Sequence, residues 1–142
     1  MTGAVMDTEH AFLRGLEGYV AEVARLLGVG MESCTIEPEP PASAYLALDW
    51  RLARFPGLDV ALLWEERRGW YVALESRTGE DLIALVFYGA ELLPAPGHLV
   101  RFLADLRSDT HQLGQPGAPE IPVTPRVELV AALARHTGAS SV

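Results

Sequence analysis

The chain has 142 residues, a formal net charge of −8, a sequence pI near 4.9 and 49% hydrophobic residues. Length and apolar content fit one folded domain and exclude global disorder. The acidic balance disfavours phosphate backbones and anionic lipid as direct partners, and a lone cysteine, Cys34, excludes an internal disulfide.

All 11 basic residues are arginine, and asparagine is absent. Both features follow from GC-rich codon usage and point to a GC-rich bacterial genome. The segment MTGAVMDTEH has no basic start and no apolar core of signal-peptide length. No apolar run approaches the ~18 residues of a membrane span, so a cytoplasmic location without membrane contact is expected.

From Asp7 to Gly28 the apolar positions Phe12, Leu16, Tyr19, Val23 and Leu26 recur at helical spacing. Asp7 or Thr8 can cap the start, and Gly28 suits a left-handed exit. Gly15 and Gly18 within this helix either admit a second backbone or sit on a tolerant solvent face. Residues Gly30 to Ser43 read as a polar connector, since EPEPP at Glu37–Pro41 forbids helix.

Four strands follow: Tyr45–Trp50, Leu58–Glu66, Trp70–Ser76 and Asp81–Tyr88. A three-residue loop Arg67–Gly69 sets Trp64 opposite Val72, and a second loop, Arg77–Gly79, sets Val72 opposite Ala84. Both turns end on glycine and place the Trp64, Trp70, Val72 and Leu74 set on one side. Leu99, Phe102, Leu103 and Leu106 mark a second helix after LLPAPG, with Pro96 in its first turn. Thr124 and Pro125 open a third, with Val127, Val130 and Ala134 on one face and Leu129 and Leu133 beside it.

The expected class is therefore α+β: an N-terminal helix, a four-stranded antiparallel meander and two C-terminal helices packed on the sheet. One domain over residues 1–142 is expected, with a compact core at about 8–107, a loop and helix at 108–137 and a frayed tail at 138–142.

Glu65, Glu66, Glu80 and Asp81 invite a reading as paired carboxylates or a hard-metal cluster. Consecutive turns of a meander lie at opposite sheet ends, on the order of 15 Å apart, so these acids read as solvated strand ends. His10, His98, His111 and His136 form no ligand spacing. Cys34 sits beside acid, which works against a reactive thiolate. No catalytic residue, metal ligand or cofactor site is expected.

The second sheet face carries Leu63, Tyr71, Ala73, Glu75, Ile83, Leu85 and Phe87, too apolar for bare exposure to water. It is the candidate interface, unless the third helix or the connector covers it. Trp50, Trp64 and Trp70 are the candidate ligand pocket, although their shared parity also fits a plain core.

FPGLDVALLWEERRGWYVALESRTGEDLIAL, followed by LLPAPGHLVRFL and preceded by HAFLRGLEGYVAEVARLLG, resembles an uncharacterised actinomycete family catalogued as domain of unknown function 6292. The resemblance spans His10 to Leu106, with W-E-E-R-x-G-W and L-P-A-P as its distinctive blocks. It implies no activity, ligand or site residue. The expected function is a non-enzymatic module that binds a protein partner or a second copy of itself. The alternative is a small-ligand-binding regulatory domain with a pocket between helices and sheet.

Overall fold

The computed structural model describes residues 2–89, 91–108 and 114–138. Helix α1 spans Thr2–Leu27, longer at its start than the apolar spacing indicates. It ends where Gly28 takes φ +73°, with Gly28 N–H donating to Arg25 O and Val29 N–H to Ala24 O. That paired closure satisfies the last carbonyls of the helix.

Strands β1 (Cys34–Glu37), β2 (Ser43–Ala47), β3 (Asp59–Glu65), β4 (Gly69–Glu75) and β5 (Leu82–Phe87) pair in sequence order, all antiparallel. The sheet thus has five strands, not four. The extra one lies in the expected connector, where Cys34 and Ile36 pair with Leu46 and Ala44. Two apolar positions before Pro38 are too short a period to stand out from their polar surroundings.

The first glycine-closed hairpin is tighter than expected. Glu65 pairs with Gly69, which adopts φ +73°, and Trp64 sits directly opposite Trp70. Pairing slides by two positions, so every side chain keeps its face. The second hairpin opens at Glu75–Leu82, with Ser76 N–H bonded to Asp81 O inside it. Leu74 then faces Ile83, while farther along Val72 faces Val86, so Leu85 is an extra residue on β5. This bulge reverses facing along the first part of β5. Ile83 falls on the side of Leu74, not on the second face, and Leu85 packs partly against the helix-side core.

Helices α2 (Pro96–Arg107) and α3 (Arg126–Gly138) both pack on α1. With Phe12, Leu16, Tyr19 and Val23 of α1 they close over Leu46, Leu62, Trp64, Trp70 and Val72. The α3 stripe is rotated from expectation. Leu129 and Leu133 point inward, while Val127 is 68% exposed. Gly15 is the reason α3 can come close: a Cβ there would lie 3.1 Å from Leu133 Cβ. No helix among the described residues is long and apolar enough to cross a membrane.

Candidate functional site

Glu65 and Glu66 stand apart from Glu80 and Asp81, as the meander requires. The Glu66–Arg68 turn and the turn before Leu82 close opposite ends of β4. Glu80 and Asp81 are exposed. Glu66, however, is buried, not solvated. Its Oε1 accepts Ala42 N–H at 2.8 Å, and Arg126 Nη1 lies 3.4 Å away. Arg126 also reaches Glu9 at 3.4 Å, donates to Pro38 O at 3.1 Å and rests 3.8 Å over the Phe12 ring. One guanidinium thus fastens α3 to α1, to the β1–β2 connection and to the β3–β4 turn. Burial of such a pair is costly unless hydrogen bonds accompany it. Glu66 accepts one from Ala42 and Arg126 Nη2 donates one to Pro38 O, while among the described residues the buried Nη1 has only its ionic contact with Glu66. No group of three or more His, Cys, Asp or Glu side chains among the described residues could hold a metal.

The second face forms its own cluster of Ala61, Leu63, Tyr71, Ala73 and Phe87, with Tyr45 packed against it. The third helix and the connector do not supply it: α3 lies on the helix side, and the connector contributes edge strand β1. Two tyrosine–carboxylate pairs frame the cluster. Tyr45 Oη donates to Glu75 at 3.0 Å, and Tyr71 Oη donates to Glu65. Burial, then the Glu75 hydrogen bond and charge, push the Tyr45 phenol up to about 12. Burial, then Glu65, raise Tyr71 in the same way. Both phenols are held as donors, and both carboxylates are engaged as acceptors.

Of the expected interface residues, Leu63, Tyr71 and Phe87 are only 9%, 4% and 4% exposed, and Ala73 is fully buried. Glu75 and Leu85 are half-buried. Ile83 is 56% exposed, and beside it stands Leu82, 47% exposed and paired with Glu75. Together with exposed Ala84 they make an apolar run on an edge strand. Among the described residues only β4 hydrogen-bonds to β5 from Leu82 to Val86; Gln115 exchanges two bonds with Phe87 at 2.7 and 2.8 Å.

The three tryptophans do not share a pocket. Trp64 and Trp70 are wholly buried, with Trp64 Nε1 donating to Leu92 O at 2.9 Å and Trp70 Nε1 to Tyr19 Oη at 3.1 Å. Tyr19 Oη in turn donates to Pro94 O at 2.6 Å, and burial raises its pKa. These indoles are core. Trp50 lies beyond the end of β2, half-buried, and walls an open groove of about 470 Å³ with Leu26, Leu27, Val100, Leu103 and Arg107. Sequence periodicity missed Arg107 because nothing local links the end of α2 to Trp50.

His10 and His98 are exposed, and His111 lies outside the described residues. His136 is a structural residue, with Nε2 2.7 Å from Leu93 O and its ring against Tyr19. Cys34 Sγ donates to Gly30 O at 3.6 Å, and burial, then Glu32, raise its pKa. A thiol so placed is a poor nucleophile at neutral pH.

Residues 19–105 match the model of a family of unknown function (DUF6292). The chain belongs to this family. The matched span runs from the middle of α1 through the whole sheet and most of α2. The α1 half that carries Gly15 and all of α3 lie outside it. No curated protein and no solved structure matches the chain.

Proposed function

We propose that this is a small acidic, cytoplasmic, non-enzymatic interaction module, which takes an extended segment of a protein partner as a sixth strand along β5. The supporting observation is the contrast between the two sheet edges. On the β1 edge Thr35 and Glu37 are exposed, and Pro38, Pro40 and Pro41 follow at once. Charges and prolines of this kind blunt an edge against pairing. The β5 edge presents exposed Leu82, Ile83 and Ala84 with no proline in the strand. Main-chain bonds to such an edge supply affinity, and alternate side chains supply selectivity. Exposed Glu80 and Asp81 at its start favour a basic residue at the matching end of the incoming strand. A wider docking of partners on the second face has less behind it, because its central side chains are already buried.

A second copy of the chain can supply the strand as well as a foreign protein, and mass in solution separates the two. A wild-type dimer that Ile83→Lys converts to monomer supports self-pairing. If the wild type is monomeric, a photo-crosslinking side chain at position 84 should trap one discrete protein in the native host, and Ile83→Lys should abolish that product. A monomer that yields no such product overturns the reading.

A further inference from the structure

We infer that the groove beside Trp50 binds the carboxylate of a medium-chain aliphatic or aryl-alkyl acid. The site is separate from the β5 edge and does not depend on it. Leu103, 2% exposed, forms the floor. Leu26 and Leu27 from the end of α1 and Val100 from α2 make the walls, and Trp50 adds a flat side. Leu26 is 41% exposed although it belongs to the apolar stripe of α1, so the groove leaves uncovered a side chain that the core pattern calls for burying. At about 470 Å³ the groove is within the usual range of small-molecule sites, ~300–1,000 Å³.

The polar contact that orients the ligand is Arg107. Its guanidinium carbon lies 4.8 Å from the Trp50 ring centroid. This cation–π contact restrains the guanidinium beside the ring, and its N–H groups can offer a carboxylate two parallel hydrogen bonds. Among the described residues Arg107 has no carboxylate partner, whereas Arg25, Arg51, Arg68 and Arg126 all do. Two helix carboxyl ends meet at this groove, and their partial negative charge opposes an anion. Both are capped: Gly28 and Val29 N–H groups cover α1, and the Ser108 N–H and Oγ cover α2. The guanidinium is therefore the dominant charge at the mouth, and an apolar tail on an anionic head fits both halves of the lining.

The test uses decanoate, decanol and decyltrimethylammonium with the full chain, all below micelle-forming concentrations. Trp64 and Trp70 are sealed from solvent, so a change in tryptophan emission reports Trp50. Decanoate should alter that emission saturably and raise Tm. Arg107→Gln, at an exposed position, should weaken decanoate by about tenfold or more while leaving decanol unchanged. Val100→Glu should abolish both responses, and circular dichroism checks that this variant is folded. No saturable response to decanoate, equal decanoate affinity in Arg107→Gln, or tighter binding of the ammonium compound would each overturn the assignment.

Discussion

The two faces of the sheet are built from the same alternating strands, yet they are held in different ways. The helix side is filled with large rings whose polar atoms are satisfied inside the fold: Trp64 to Leu92 O, Trp70 to Tyr19, Tyr19 to Pro94 O. The second side has alanines at its middle, Ala61 and Ala73, with Leu63, Tyr71 and Phe87 in a row beside them. Its polar atoms are tied at the rim, by Glu65 and Glu75. The difference teaches that period-two alternation decides which side a residue takes, while side-chain size and hydrogen-bond partners decide how much stability that side carries.

The comparison breaks most sharply at Trp70. Trp70→Ala should cost about 4 kcal/mol, because a fully buried ring leaves a cavity and Tyr19 loses its donor. Chemical denaturation measures this. A loss no larger than that from removing a second-face hydroxyl would erase the distinction between the faces. Next comes the fastening of α3. Arg126→Met should cost about 3 kcal/mol by stranding buried Glu66 without its cation. Adding Glu66→Gln should recover part of that loss, and additive single effects would show that the pair is not coupled.

Much of this was legible in the residues. The helical stripes of α1 and α2 and the shared side of Trp64 and Trp70 follow from spacing alone, because a slide of two positions leaves parity intact. The facing of Ile83 and Leu85 was not legible, since the second turn shifts pairing by an odd number and only the bulge at Leu85 repairs it. Nor was the burial of Glu66, whose cation is Arg126, far along the chain and beyond a proline-rich loop. Strand β1 was hidden because Cys34 and Ile36 give too little alternation. The groove was half legible: Trp50 stood out, but Arg107 and Leu26 meet it only through the packing of two helices.

The second face should respond more weakly and through pH. Tyr45→Phe removes one hydrogen bond to a half-exposed carboxylate and should cost about 1 kcal/mol near neutrality. The folded-state pKa of Tyr45, about 12, lies above the ordinary phenol value near 10. Neutral Tyr45 therefore contributes stability fully below pH ~10 and loses it as pH rises toward 12. Tyr45→Phe should flatten that part of the alkaline stability curve. Tyr71 is raised as well, so some slope should remain. An unchanged slope would mean that the Tyr45–Glu75 bond does not persist in solution.

Ile83→Lys should have the smallest effect on folding and the most selective one on binding. The side chain is 56% exposed at the open end of β5, so little apolar burial is lost. A lysine there keeps its stem along the strand and its charge in water, and the stability change should stay within ~0.5 kcal/mol. Lysine on an edge is also what discourages a further strand from pairing. The same substitution at Leu62, wholly buried on β3, would unfold the chain and say nothing about partners. Equal Tm for wild type and Ile83→Lys, with loss of dimer or of the crosslinked product, would separate what the edge does for binding from what the helix-covered face does for folding. A Tm drop of the size expected for Trp70→Ala would instead make Ile83 part of the core, and β5 would no longer be a free edge.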